Sequence, residues 1–144
     1  MIVYVNGAYL PADQAQVSIF DGGYMYGDGI YTTLRLYRGL PLDLDAHWKR
    51  LSQQTSQLEI TFEMSLPQLR QSIGELVTHN DLGDTDGRLR ITVSRAGDPM
   101  RPLPLRNLSG IPATIIMTLA PVAPELTAWQ AEGIPIICLG ESYA

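Results

Sequence analysis

Arg50 lies in "LDAHWKRL", at the margin of an apolar helical stripe. Leu44, Trp48, Leu51, Thr55 and Leu58 recur at three-four spacing, so residues from about Asp43 to Leu58 are expected to form a helix with one buried face. One position is about 100° of helical rotation, which sets Arg50 at the edge of that face. A planar, permanently charged guanidinium there can reach over the core margin and hold a phosphate dianion, or it can pair with a surface carboxylate. His47, a turn earlier, can orient the same ligand or serve as a structural histidine. His79 falls at the end of a second helical pattern and reads as a partner of the helix dipole.

The other candidate chemistry is in "YGDGIYTTLRLYRG", residues 26–39, where a glycine-rich bend runs directly into an alternating strand. Phosphate-holding glycine loops usually follow a strand and open a helix; this one has the reverse order. Tyr26 and Tyr31 bracket it, while Gly27 and Gly29 permit backbone conformations or close approaches that other residues resist. Arg95 and Arg101 flank "AGDPM" after a later strand, a place for carboxylate or phosphate contacts and equally for solvated arginines. No G-x-S-x-G, GxxxxGK[ST] or strand-following GxGxxG occurs. Two histidines and one cysteine, far apart, give no metal-ligand spacing. Asp84 and Asp86 read as turn residues, and Cys138, among Ile136, Ile137 and Leu139, as a small buried hydrophobe.

Around these residues the expected elements are regular. "MIVYVNGAYLP" reads as two short strands about an Asn6-Gly7 turn. Ile30, Thr32, Leu34 and Leu36 line one face of the strand after the bend, with Tyr31, Thr33, Arg35 and Tyr37 on the other. Asp43 or Asp45 can cap the first helix. Ser65 with Gln68 forms a capping box for a second, with Pro67 in its first turn. Leu66, Leu69, Ile73, Leu76 and Val77 form its buried face, and "NDLG" closes it. "GRLRITVSR" alternates Leu89, Ile91 and Val93 against Arg88, Arg90, Thr92 and Ser94. "TIIMTLAPV" reads as a central strand, and "TAWQAEGIPIICLG" as a short helical turn and a further strand. The order predicts an α+β domain of two layers: a mostly antiparallel sheet with two helices on one face.

At 144 residues, 45% hydrophobic and 17% charged, the chain can bury one domain core. A net charge of -5 argues against nucleic acid or an anionic membrane as partner. No apolar run is long enough to span a bilayer and no positively charged leader is visible, so a soluble, cytoplasmic protein is expected.

"NGAYLP", "DGGYMYGDGIYTTLRLYRG", "LDLDAHWKRL" and "RLRITVSRAG", in this order and spacing, resemble the class IV (fold type IV) pyridoxal-phosphate enzymes. That family includes D-amino-acid and branched-chain aminotransferases and aminodeoxychorismate lyase. The resemblance covers all of this chain but only the amino-terminal half of the family's length. It implies that Arg50 grips the phosphate of pyridoxal 5'-phosphate and that Tyr31 contacts substrate. It implies too that Tyr26 reaches the site across a homodimer interface, and that Arg101 binds a substrate carboxylate. The bend would then be a substrate-side wall.

Three departures accompany it. "DGG" at 21–23 replaces Asp-Arg-Gly, removing a structural arginine. Leu103 stands where the D-amino-acid enzymes have a histidine, which counts against D-specificity. The lysine that carries the family's cofactor falls beyond Ala144, leaving no catalytic residue in this stretch; Lys49, the one lysine present, reads as a surface residue. Residues 1–131 are therefore expected to be the amino-terminal domain, and 132–144 the start of an interdomain segment and second domain. The expected function is the amino-terminal part of an aminotransferase exchanging an amino group between an amino acid and a 2-oxo acid, inactive alone. The alternatives are a lyase of the same family and a non-catalytic binding domain.

Overall fold

Asn6 and Gly7 both take positive φ, 49° and 96°, and so reverse the chain between β1 (Ile2–Val5) and β2 (Ala8–Pro11). The structure, a computed structural model, describes residues 1–97 and 112–137, so Arg101, Leu103 and Cys138 lie outside the described residues. The remaining elements are α1 (Gly22–Tyr26), β3 (Gly29–Tyr37), β4 (Leu40–Pro41), α2 (Leu44–Gln57), α3 (Leu66–His79), β5 (Gly87–Ser94), β6 (Thr114–Pro121) and α4 (Glu125–Glu132). The six strands form one sheet in the order β2-β1-β6-β5-β3-β4, with every pairing antiparallel. Both edge strands are short and carry a proline, Pro11 or Pro41, which limits further strand addition.

The core lies between one face of this sheet and helices α2 and α3. Leu34, Leu36, Leu89, Ile91, Val93, Met117 and Leu119 point into it from the strands, and Leu44, Leu51, Leu69, Ile73 and Leu76 from the helices. Each such side chain contributes roughly 1.5–3 kcal/mol by leaving water. The expected α+β, two-layer architecture with the helices on one face is the observed one.

Helix ends follow local chemistry unevenly. At α3 the capping box is complete: Gln68 N–H donates to Ser65 Oγ at 3.4 Å, and Ser65 N–H to Gln68 Oε1 at 2.9 Å. Asn80 closes the helix and ties it to β1, donating to the Ile2 carbonyl at 2.9 Å and accepting from the Ile2 N–H at 2.8 Å. At α2, Asp43 occupies the N-cap position with φ 48°, but its side chain makes no capping hydrogen bond. Asp45 instead sits in the first turn and meets Arg70 at 3.4 Å on the surface. Leu58, counted in the apolar stripe, is 42% exposed because α2 has ended and the chain turns away there.

Two further differences concern glycines and the last expected strand. The residues just before the glycine bend form a one-turn helix, α1, capped by Asp21 and closed by Gly27 in the left-handed region. The helical turn near Trp129 begins earlier than expected, as α4, and residues 133–137 pair with no strand. Ile136 and Ile137 stand 78% and 89% exposed; an apolar run without a sheet edge beside it has no ladder to join.

Candidate active site

β3 carries two chemically distinct corners on its opposite faces. On the helix-facing side, Thr32 is the polar interruption in the Ile30/Thr32/Leu34/Leu36 row and is 1% exposed. A buried hydroxyl needs partners, and α2 supplies them. Arg50 Nη2 donates to Thr32 Oγ1, and the same oxygen lies 2.5 Å from His47 Nδ1. His47 and Arg50 are three apart on α2, hence neighbours on the helix surface. His47 is held below the usual histidine range, first by burial and then by the Arg50 charge, with Asp43 opposing. Arg50 is otherwise exposed and pairs with no carboxylate among the described residues. Its guanidinium therefore keeps donors to offer an anion, and beside a hydroxyl and an imidazole whose charged form is disfavoured it suits a phosphate dianion. Lys49, one position before Arg50, is exposed and lies about 100° round the helix from it.

On the open face stands Tyr31, 57% exposed. The Arg90 guanidinium from β5 lies 3.7 Å from its ring centroid, a cation–π stack set by the register that pairs Tyr31 with Thr92 and Thr33 with Arg90. Helix α1 walls this corner. Asp21, 2% exposed, accepts from Gly23 and Tyr24 N–H at 2.8 and 3.3 Å through one oxygen, and from Ser94 Oγ at 3.0 Å through the other. Tyr31, Tyr24, Val17 and Thr92 border a recess of about 360 Å³ there. Tyr26 ends α1 and is 44% exposed.

The glycines answer to packing within the chain. A Cβ at Gly29 would sit 2.9 Å from the Val93 carbonyl, so this glycine lets β3 start flush against β5. Gly22, where an arginine was expected from the resemblance, donates its N–H to the Arg95 carbonyl at 2.8 Å, and a Cβ there would lie 3.0 Å from that oxygen. Arg95 itself is no free anion hook. Its Nε donates to Asp28 at 2.6 Å and its terminal nitrogens to the Glu59 and Leu58 carbonyls at 2.8 and 2.5 Å. It fastens the bend to the end of α2.

Of the site residues expected from sequence, Arg50 reaches β3 from α2 through Thr32, and Tyr31 stands on the strand's open face. Arg101 lies outside the described residues. Thr32 and Arg90 were not singled out. Thr32 was visible as a hydroxyl inside an apolar row, whereas Arg90 required the β3–β5 register. Asp86 is tied to Arg35 at 2.9 Å and accepts from the Arg38 N–H, a structural turn contact. His79 stacks on Tyr9 with ring centroids 4.9 Å apart. Among the described residues no three His, Cys, Asp or Glu side chains converge as metal ligands, and no helix is long and apolar enough to cross a membrane.

Residues 29–140 match the amino-transferase class IV family model. The chain is 37% identical over 93 residues to an aminodeoxychorismate lyase of Bacillus subtilis, covering 65% of this chain and 32% of that protein. It is 34% identical over 101 residues to a D-alanine aminotransferase of Bacillus licheniformis, covering 70% and 35%. A PLP-bound hypothetical aminotransferase from Mycobacterium tuberculosis superposes with a TM-score of 0.73 at 21% identity, over 91% of this chain and 43% of that one. The chain thus spans about a third of the length of these curated relatives.

Proposed function

The chain belongs to the amino-transferase class IV family, and on that premise we propose that it is the amino-terminal part of a pyridoxal-phosphate-dependent aminotransferase. The observation that carries this reading is Arg50: a guanidinium held by a buried threonine and paired with no carboxylate among the described residues. Residues 1–131 are assigned to the small domain, and 132–144 to the start of the segment that leads to the second domain. The lysine that carries the cofactor is assigned to that second domain, and the complete enzyme to a cytoplasmic homodimer.

Pyridoxal 5'-phosphate, when bound, supplies an electron sink that lets the bonds at an amino acid's Cα be broken. The donor set described above fits its phosphate. Arg50 would hold that phosphate by charge-assisted hydrogen bonds, fixing the cofactor at the margin of α2. Tyr31 and Tyr26 would contact the amino acid or 2-oxo acid from the open-face wall that α1 builds, with Arg101 taking its carboxylate. Positioning of this kind accounts for a large share of catalysis when the reacting atoms are held close to their attack geometry.

A second reading, elimination of pyruvate from aminodeoxychorismate, is favoured by the similarity to the B. subtilis lyase. Both are tested by one experiment. A polypeptide extended through the next lysine is assayed for amino exchange with a panel of amino acids and 2-oxo acids, and for pyruvate release from aminodeoxychorismate. Amino exchange lost in Arg50→Ala is the expected result. Pyruvate release alone would replace it with the lyase reading. Neither activity in a polypeptide that binds the cofactor would leave a non-catalytic binding role.

A further inference from the structure

Thr32 Oγ1 has one proton and sits between two nitrogens whose roles are not symmetrical. Arg50 can only donate, so the Thr32 oxygen must accept from it. The hydroxyl proton is then free to go elsewhere, and His47 Nδ1 lies 2.5 Å from its oxygen. At 1% exposure the hydroxyl is shut off from bulk solvent. We infer that His47 and Thr32 form a positioning relay for Arg50: His47 Nδ1 accepts the Thr32 proton, which turns the oxygen's lone pair toward the guanidinium and fixes the anion-holding fork.

The relay specifies a tautomer. Nδ1 must be bare and the imidazole proton must be on Nε2, with the ring uncharged. The groups that face the ring agree with this. Burial opposes the charged ring, Arg50 on the same helix opposes a second positive charge, and the Asp43 carboxylate pulls the other way. Neither His47 nor Thr32 need touch the ligand; they act through Arg50. The inference rests on the reading of Arg50 as the phosphate grip.

The probe is pyridoxine 5'-phosphate, which carries the same phosphate but no aldehyde to react with Lys49. Pyridoxine without phosphate is the control. Nitrogen-15 NMR of the unmodified 144-residue chain reads the His47 tautomer directly, and titration reads the affinity. The expected result is the Nε2–H tautomer, with Thr32→Val and His47→Ala each weakening the probe by about five- to tenfold, the scale of one ordinary hydrogen bond lost behind Arg50. Thr32→Ser, which keeps the hydroxyl, and His47→Asn, whose Oδ1 stands near the Nδ1 position, should retain most of the affinity. An Nδ1–H tautomer would overturn the relay. So would unchanged affinity in Thr32→Val while Arg50→Ala loses binding, which leaves the phosphate reading of Arg50 intact. Unchanged affinity in Arg50→Ala would remove that reading and the relay with it.

Discussion

Tyr31 and Thr32 are consecutive residues of β3, yet they belong to different worlds. Thr32 faces the helices, is buried, and has both its hydrogen-bonding neighbours specified by α2. Tyr31 faces outward beside α1, half-exposed, with an arginine laid across its ring. The helix side is a finished corner whose geometry is over-determined by packing. The open side is a wall that remains accessible to a ligand or another surface. The pleat sends consecutive side chains to opposite faces, so the proposed phosphate grip and the proposed substrate contact come from adjacent residues of one strand.

The sharpest way to test this contrast is to truncate neighbours on the two faces. Leu34→Ala, on the buried side, should destabilise the domain by about 2–5 kcal/mol. Thr33→Ala, one residue away on the open side, should change stability by no more than about 0.5 kcal/mol. Urea unfolding midpoints of the two variants compare them directly, and equal effects would mean that the open face is packed as tightly as the core.

A smaller effect is expected at the bend. Asp21→Ala removes the cap of α1 and the Ser94 contact, and should cost about 1–2 kcal/mol. Asp21→Asn keeps an oxygen for the two N–H donors and should cost less. If α1 walls the recess as described, Asp21→Ala should also raise hydrogen exchange at residues 22–27 while leaving α3 unchanged.

The acid response is expected to be smaller still and to arise on the helix side. His47 has a folded pKa below its unfolded value, so the unfolded chain binds the extra proton first. The associated stability is fully present above about pH 6.5. It declines as the pH falls from there through the lowered value, and the unfolding midpoint should fall over that window. In His47→Asn the decline should be shallower, as the His47 contribution is gone.

How much of this was legible in the sequence depended on distance along the chain. The Asn6-Gly7 reversal, the Ser65/Gln68 box and the alternation of β5 are encoded within a few residues, and each appears where it was expected. So does the placement of Arg50 at a core margin, which needs only the helical period. Arg95 was ambiguous because its partners lie 36, 37 and 67 residues away, and no local pattern distinguishes a structural clamp from an anion hook. The one-turn helix α1 was not legible, because its two opening glycines mask helical propensity. Its cap is one end of a contact spanning 73 residues, from Asp21 to Ser94. Thr32 was legible as part of the buried row, but a row of side chains carries no hydrogen-bond directions.

The measurement that bears most directly on the division of labour along β3 is a two-dimensional NMR titration of the 144-residue chain with pyridoxine 5'-phosphate. Phosphate-dependent shifts are expected at Thr32, His47 and Arg50, absent with pyridoxine alone and abolished by Arg50→Ala. Shifts centred on Lys49 or Arg90, or shifts that survive Arg50→Ala, would contradict the assignment of the phosphate grip to the helix side.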